Sequence, residues 1–203
     1  GGEALPDERM TLVARAPRLG KWLAPSVMES VNRKVVYRSR GFLRDRYGDL
    51  SYREGIGCSS RWRALASALV LALGGGIFSL VPRTLLWLGV LPKPGQGPDQ
   101  ETRDTGFFNT YLVAEAKGDG DGAPAVLVHV KGTDGDLGYK STAAMASECA
   151  LCLALKRDEL PARGGGCLTP ASCFGSALLP GLERAGVTFS TSVLSSSPPN
   201  LEL

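Results

Sequence analysis

The chain has 203 residues, of which 43% are hydrophobic, 21% charged and 7% aromatic. This is enough for one globular domain, or one domain plus an appendage, and the apolar content is too high for a disordered chain. The 26 glycines and 13 prolines follow no fixed period, which excludes collagen and repeat architectures. The sequence begins Gly1-Gly2-Glu3 and its first methionine is Met10, so we expect a fragment or a processed chain.

Charge and cysteine content indicate the environment of the chain. Residues 1–63 contain 13 Lys and Arg against 7 Asp and Glu, whereas residues 101–203 contain 8 against 12. The positive charge therefore precedes the most apolar part of the sequence. The first 30 residues lack the continuous apolar core of a signal peptide. Together with an odd number of cysteines, this favours a reduced, intracellular chain over a secreted disulfide scaffold. The five cysteines are Cys58, Cys149, Cys152, Cys167 and Cys173.

The N-terminal part of the chain is predicted to be irregular over residues 1–25 and to form a basic helical region over residues 26–63. Ser26 or Ser30 is the expected helix N-cap. An apolar row with roughly four-residue spacing runs along this helix: Val27, Val31, Val35 and Phe42. Its other faces are basic: Arg33, Lys34, Arg38, Arg40, Arg44 and Arg46. One interpretation is a solvated helix surface, and the other is contact with anionic lipid headgroups.

A hydrophobic segment follows at residues 64–91. Its first 18 residues, 64–81, carry no charge, which is the lower limit for a transmembrane helix. Gly74-Gly75-Gly76 weakens a helix in the middle, and the second apolar run, 85–91, is too short to return across a bilayer. We therefore expect a hairpin or interfacial segment that contacts one leaflet, with a helical pair buried under another domain as the alternative. The expected membrane-contacting residues are Trp62, Leu69, Leu73, Ile77, Phe78, Leu86 and Trp87.

The rest of the chain predicts an α+β fold, in which helices pack on a β-sheet and the hydrophobic segment is a helical insertion. Residues 92–105 are predicted to be a linker, residues 106–194 the α+β domain and residues 195–203 a tail. Strands are predicted at residues 107–116, 125–130 and 187–190.

Two helical regions are predicted within this domain. The first runs from Ser141 or Thr142 to Lys156, and because it is apolar nearly all round, we expect it to be deeply packed. The second begins with Thr169 as N-cap, followed by a proline, and ends at Gly186.

The sequence predicts no metal site and no phosphate site. The Asp- and Gly-rich loops at 117–122 and 132–138 lack the length and the final Glu of an EF-hand, so turn formation is the better account. Cys149 and Cys152 lie on an apolar helix, where cysteine is an ordinary core residue. No G-x-G-x-x-G sequence joins a strand to a helix, as dinucleotide binding requires. The basic helix lacks interleaved aromatic residues, so no nucleic acid is expected as a partner.

A series of short sequence blocks is specific in its order and spacing. The blocks are Gly20-Lys21-Trp22-Leu23, Ser30–Arg40, Leu91–Pro98, Val130-Lys131-Gly132, Gly138-Tyr139, Thr142-Ala143 with Met145, Gly165–Ala171, Leu182 and Gly186–Phe189. In this order they resemble the C-terminal half of the saccharopine dehydrogenase-like oxidoreductases. That family includes a lipid-droplet-associated animal protein and the bacterial trans-acting enoyl reductases.

The resemblance implies a parent oxidoreductase with an N-terminal Rossmann domain that binds NAD or NADP, followed by a second, α+β domain of the present kind. No cofactor is expected to bind to this chain, because the Rossmann domain is missing from it. The resemblance also implies lipid or glycolipid metabolism, a lipid-droplet or organelle-membrane surface as location, and contact with the missing domain. A homodimer is left open. The alternative is a non-catalytic module that anchors to a lipid surface.

No catalytic residue is carried over from the family. Three polar residues near the loops of the α+β domain are the candidates for contact with substrate: His129, Lys131 and Tyr139. His129 is the only histidine, so any scheme that needs an imidazole must use it. The other interpretation is that His129 is a half-exposed or hydrogen-bonded strand residue.

Overall fold

The computed structural model describes residues 12–80 (side chains to residue 76), 95, 97–116, 123–161, 164–194, 199 and 201. The chain divides into two compact units, Gly1–Gln96 and Gly97–Leu203. Each unit contains a three-stranded antiparallel sheet together with helices. The predicted mixed α+β class is therefore confirmed, with two sheets in place of the one expected.

The first unit opens with a sheet that the sequence did not predict. Strands β1 (Ala14–Ala16), β2 (Lys21–Pro25) and β3 (Gly55–Cys58) pair antiparallel in that order. Gly20 closes the turn between β1 and β2 with a φ of 63°, a left-handed conformation that glycine adopts without steric cost. β1 and β2 thus lie in residues 1–25, which were expected to be irregular, and β3 lies in residues 26–63, which were expected to be helical. They escaped notice because they are short and rich in Ala, Lys, Pro and Gly, which have low strand propensity.

Helices α1 (Glu29–Phe42), α2 (Arg44–Tyr47) and α3 (Arg61–Leu80) complete the described part of the first unit. The helix predicted in the basic region is present as α1, although Met28 occupies the N-cap position in place of a serine. α3 packs on β2 and β3 through small residues, because its Ala64 is fully buried beside Ala24 and Cys58. None of the helices in the described ranges combines the length and apolar character needed to cross a membrane.

The second unit is built on the sheet that the sequence predicted. Strands β4 (Phe108–Glu115), β5 (Ala125–Gly132) and β6 (Val187–Leu194) pair antiparallel in that order. The structure confirms all three predicted strands and continues the last of them to Leu194. Gly132 pairs with Phe108, and a Cβ at Gly132 would overlap the Phe108 ring. Glycine is therefore required at this close approach.

One helix precedes this sheet in the chain, and the other described helices and helical turns of the unit lie between β5 and β6. They are α4 (Gln100–Thr105), a π-helical turn (Leu137–Ser141), α5 (Thr142–Leu155), a 3-10 turn (Arg157–Glu159), α6 (Pro170–Phe174), a 3-10 turn (Gly175–Leu178) and α7 (Leu179–Arg184). The expected linker at 92–105 thus contains helix α4, whose N-cap Asp99 accepts a hydrogen bond from the Thr102 N–H at 2.7 Å. Thr169 caps α6 as predicted, within a capping box completed by Ser172.

The packing of α5 differs from the prediction of deep burial. Cys152 is buried with Leu160, Phe174 and Leu178 in the core of this unit. In contrast, Leu153 is 48% exposed and Leu155 is 77% exposed. The prediction was wrong because α5 is covered on one side only, by α6, α7 and the neighbouring turns. An apolar composition all round a helix does not show how many of its sides have a partner.

Several predicted features lie outside the described residues. These are residues 81–91 of the hydrophobic segment, with Leu86 and Trp87, the loop at 117–122, and residues 195–198, 200, 202 and 203 of the tail. The side chains of Ile77 and Phe78 also lie outside the described part.

Candidate functional site

His129 lies on the polar face of the second sheet. The strand register places it between Tyr111 of β4 and Ser190 of β6, and residues paired in this way share a face. The His129 ring stacks on Tyr111 with centroids 4.4 Å apart and planes at 15°. Its Nε2 lies 2.9 Å from Asn109 Oδ1. The imidazole is therefore held in one orientation.

A small cavity of about 260 Å³ opens beside these two rings. Tyr111, His129, Ser190 and Ser192 contribute polar side chains to its lining, and Leu201 is one of the apolar residues there. Ligand sites usually have volumes of about 300–1,000 Å³. The cavity is therefore suited to water or a small polar group and is too small for an extended substrate.

The structure does not bring all three predicted site residues together. Lys131 shares a sheet face with His129, two residues along β5, and its backbone carbonyl accepts a hydrogen bond from Thr188 Oγ1 at 3.3 Å. Tyr139 lies in the π-helical turn and is 53% exposed. Neither Lys131 nor Tyr139 lines the cavity beside His129.

Tyr139 has a local structural role in the turn that leads into α5. Its backbone N–H donates to Asp136 Oδ2 at 2.8 Å, and the Lys140 N–H donates to Asp136 Oδ1 at 3.0 Å. Hydrogen bonds from the Lys140 and Tyr139 N–H groups lower the pKa of Asp136. The Asp-rich loop at 132–138 therefore provides a cap for the following turn, as the turn interpretation expected.

A larger and mostly apolar groove, about 950 Å³ in volume, lies among the helices of the second unit. α5 contributes Met145, Cys149 and Leu153, which are four residues apart along one side of the helix. Leu168 and Phe174 are among the apolar residues that line the rest. Both the size and the lining are those of a small-molecule site. Sequence reasoning missed this groove, although the spacing of the three α5 residues was a usable signal.

Few polar groups line this groove. Arg157 is the only charged side chain among its described lining residues. The hydroxyl of Thr142 donates to the Leu137 carbonyl, and that of Thr169 caps α6, so both already take part in local structure. Burial raises the pKa of the Cys149 thiol, and the nearby Cys152 acts in the same direction. The thiol therefore stays protonated at neutral pH and is a poor nucleophile. The groove is suited to hold an apolar chain rather than to attack one.

Two glycine clusters of the described residues do not lie in the setting that a dinucleotide requires. Gly55 and Gly57 lie inside the antiparallel strand β3, and Gly74–Gly76 lie inside helix α3. Dinucleotide binding needs such glycines in a loop between a parallel strand and a helix. In the part of the chain that the structure describes, no group of three or more His, Cys, Asp or Glu residues is placed to hold a metal ion. The five cysteines are present as thiols.

Helix α3 buries two of its alanines and exposes several of its large apolar side chains. Ala64 and Ala68, one turn apart, are 0% and 4% exposed. The exposed residues are Trp62 at 79%, Leu69 at 58%, Val70 at 71% and Leu73 at 58%. A contiguous apolar patch of this kind marks a surface that contacts a partner or a membrane. It includes three of the residues expected to contact lipid: Trp62, Leu69 and Leu73.

The chain is homologous to trans-acting enoyl reductases. It is 36% identical over 192 residues to those of Mycobacterium tuberculosis and Mycobacterium bovis, and 35% identical over 192 residues to that of Mycobacterium leprae. Each comparison covers 89% of this chain and 44% of the relative, so the chain spans less than half the length of these proteins. No family model and no solved structure matches the chain. The enoyl reductase part of the resemblance seen in the sequence blocks is thus confirmed.

Proposed function

We propose that this chain is part of an enoyl reductase and holds the acyl portion of the substrate in the apolar groove of its second unit. The groove carries the proposal, because it combines a volume of about 950 Å³ with a lining in which one of the described side chains is charged. An enoyl substrate consists of a hydrocarbon chain with a double bond beside a carbonyl group. Burial of each methylene of such a chain is favourable by about 0.8 kcal/mol.

The nicotinamide cofactor is proposed to bind to another part of the parent protein. Among the described residues, the glycines of β3 (Gly55 and Gly57) and of α3 (Gly74–Gly76) lie inside regular elements, which does not suit a dinucleotide. When bound, NADH or NADPH supplies the hydride for such a reduction. The contribution of this chain is to bind and orient the acyl chain and to exclude water around it.

Arg157 is proposed to contact the polar end of the substrate. Its guanidinium suits a carboxylate or phosphate group better than a neutral one. The proposed ligand is therefore an acyl chain whose head group carries negative charge. Lys156, the adjacent cation, points its ammonium group to the Ala177 carbonyl at 3.5 Å and is not among the groove-lining residues.

A chain-length series tests this function. In this assay, saturated fatty acids of about 8 to 16 carbons compete with a fluorescent fatty acid probe for the 203-residue chain, and displacement of the probe is measured. The dissociation constant is expected to fall by up to about fourfold per added methylene until the groove is full. Arg157→Gln should weaken fatty acid binding, whereas Lys156→Gln should not. An absence of binding, or affinity that does not depend on chain length, would contradict the proposal.

The cofactor part of the proposal has a separate test. Calorimetric titration of the chain with NADPH is expected to show no binding. Micromolar binding would show that the dinucleotide site lies on this chain after all.

A second candidate function is attachment to a lipid surface through α3 and the hydrophobic segment at 64–91. The observation that favours it is the exposure of Trp62, Leu69, Val70 and Leu73 beside buried alanines. Leu69→Ser with Leu73→Ser should abolish flotation of the chain with phosphatidylcholine vesicles. Leu151→Ser with Leu155→Ser makes the same change at exposed leucines of α5 and should leave flotation intact. Equal flotation of both variants would rule out this contact.

A further inference from the structure

Helix α1 carries an exposed apolar row. Val31, Val35 and Phe42 are 52%, 43% and 51% exposed, and Val27 and Met28 in the preceding turn are 67% and 52% exposed. A helix on the surface of a globular unit usually turns such a row toward the core. In α1 the row faces away from the described elements of its unit, so it is available for contact.

Polar contacts fix the opposite side of α1 to the segment that precedes β3. Asn32 Nδ2 donates to Glu54 Oε2 at 2.8 Å. Tyr37 is 7% exposed, and its hydroxyl accepts a hydrogen bond from the Tyr52 N–H at 3.3 Å. Ser39 is also buried, at 4% exposure. The outward direction of the apolar row is therefore set by the fold and not by the freedom of a loose helix.

Basic side chains share this outward face. By the 3.6-residue period of the helix, Val31, Lys34, Val35, Arg38 and Phe42 all lie within about 100° of one another. The Arg38 guanidinium lies over the Phe42 ring at 5.3 Å from its centroid. α2 continues the basic character with Arg44 and Arg46, both exposed, against the single acidic residue Asp45.

We propose that α1 and α2 lie along an anionic lipid surface, with Val31, Val35 and Phe42 among the acyl chains. Lys34, Arg38, Arg44 and Arg46 then contact the negatively charged headgroups. Interfacial helices combine apolar and basic residues in this way, because long basic side chains reach the headgroups while their stems stay in apolar surroundings.

This inference rests on the lipid contact proposed for α3 and adds selectivity for charge to it. Each basic residue near an anionic surface strengthens binding about fivefold, so the loss of two should weaken it about 25-fold. A neutral surface offers no such gain. The two contacts are therefore separable by the composition of the vesicles.

The test uses flotation of the 203-residue chain with phosphatidylcholine vesicles and with vesicles that also contain phosphatidylglycerol. The chain should prefer the anionic vesicles, and Lys34→Gln with Arg38→Gln should lose about 25-fold on them with no change on neutral ones. Val31→Ser with Val35→Ser should weaken binding to both. Arg103→Gln with Arg184→Gln removes the same charge from exposed positions of the second unit and should have no effect.

Three results would overturn the inference. If the chain binds neutral and anionic vesicles equally and the α3 variant alone abolishes binding, the α3 contact stands and the α1 contact fails. If the two charge variants behave alike, the preference reflects net charge and not this face. If the chain binds neither vesicle, both contacts fail, and the apolar rows of α1 and α3 are surfaces for protein, such as the rest of the parent.

Discussion

Substitution of Ala146 by tryptophan is the most informative perturbation of the groove. Ala146 is an exposed residue of α5 that lines the groove, and Ala150, also exposed, lies one turn further along the same helix and does not line it. The two Ala→Trp changes carry the same cost in helix propensity. Any difference in ligand binding between them therefore reports the space inside the groove.

The size of the effect follows from the hydrocarbon that the new ring excludes. An indole that displaces two or three methylenes removes about 1.6–2.4 kcal/mol of burial energy. Ala146→Trp should thus raise the dissociation constant of a long fatty acid about 15- to 60-fold. It should also shorten the chain length at which affinity stops rising.

Displacement of the fluorescent fatty acid probe measures both quantities, and urea unfolding verifies that the variants fold. Ala150→Trp should bind within about twofold of the unmodified chain. If the two variants bind long chains with equal affinity, the ligand does not occupy this groove and the reasoning from its lining is refuted.

Three further predictions concern stability and reactivity. Gly132→Ala should destabilise the second unit by about 1–3 kcal/mol in urea unfolding, because its Cβ overlaps the Phe108 ring. At Gly164 a Cβ meets no atom within 4 Å, so the stability of Gly164→Ala should stay within about 0.5 kcal/mol of that of the unmodified chain. Equal destabilisation by the two variants would refute the overlap. Burial, followed by the hydrogen bond to Glu54, raises the pKa of Tyr52 above its ordinary value of 10.0, so the unfolded chain ionises first as the pH rises. The stability difference between the unmodified chain and Tyr52→Phe should therefore be constant below about pH 10 and shrink above it, whereas a constant difference at alkaline pH would contradict this. Burial raises the pKa of Cys149, so a substoichiometric amount of maleimide at neutral pH should label the exposed Cys167 first. Mass spectrometry measures the labelling of each cysteine. Equally fast labelling of Cys149 would show that water and reagent reach the groove freely.

The second sheet could be predicted because its residues carry strong local signals. The run of β-branched and apolar residues over 125–130 has the composition of a buried strand. Thr169 followed by Pro170 marks a helix start through hydrogen bonding that is local in the chain. Signals of this kind do not depend on what packs against the element.

The first sheet and the groove could not be predicted, for two different physical reasons. β1 and β3 are short, rich in alanine and glycine, and held by pairing with β2, which is a tertiary effect. The groove depends on which side of α5 remains uncovered, and a helix that is apolar all round gives no indication of that side. In α1 the apolar row is distinct from the basic faces, but the sequence does not show whether such a row packs inward or, as Val31 and Val35 do, faces outward.

The candidate site residues were chosen by chemical type, and the structure places only two of the three on a common face. His129 and Lys131 do share a face, since residues two apart on a strand point the same way. Tyr139 was grouped with them because it is near them in the sequence. It lies in the π-helical turn after β5 and not on the strand that holds the other two. Residues of the groove were passed over because apolar side chains look alike whether they fill a core or line a ligand site.

Photo-crosslinking with a diazirine-bearing fatty acid tests the central claim most directly. The acid is irradiated with the 203-residue chain, with and without excess unlabelled fatty acid, and the labelled peptides are identified by mass spectrometry. The account predicts saturable labelling of α5 and of the segment 164–182, which together line the groove. Competed labelling confined to other parts of the chain, such as α3 or the sheet around His129, would contradict it.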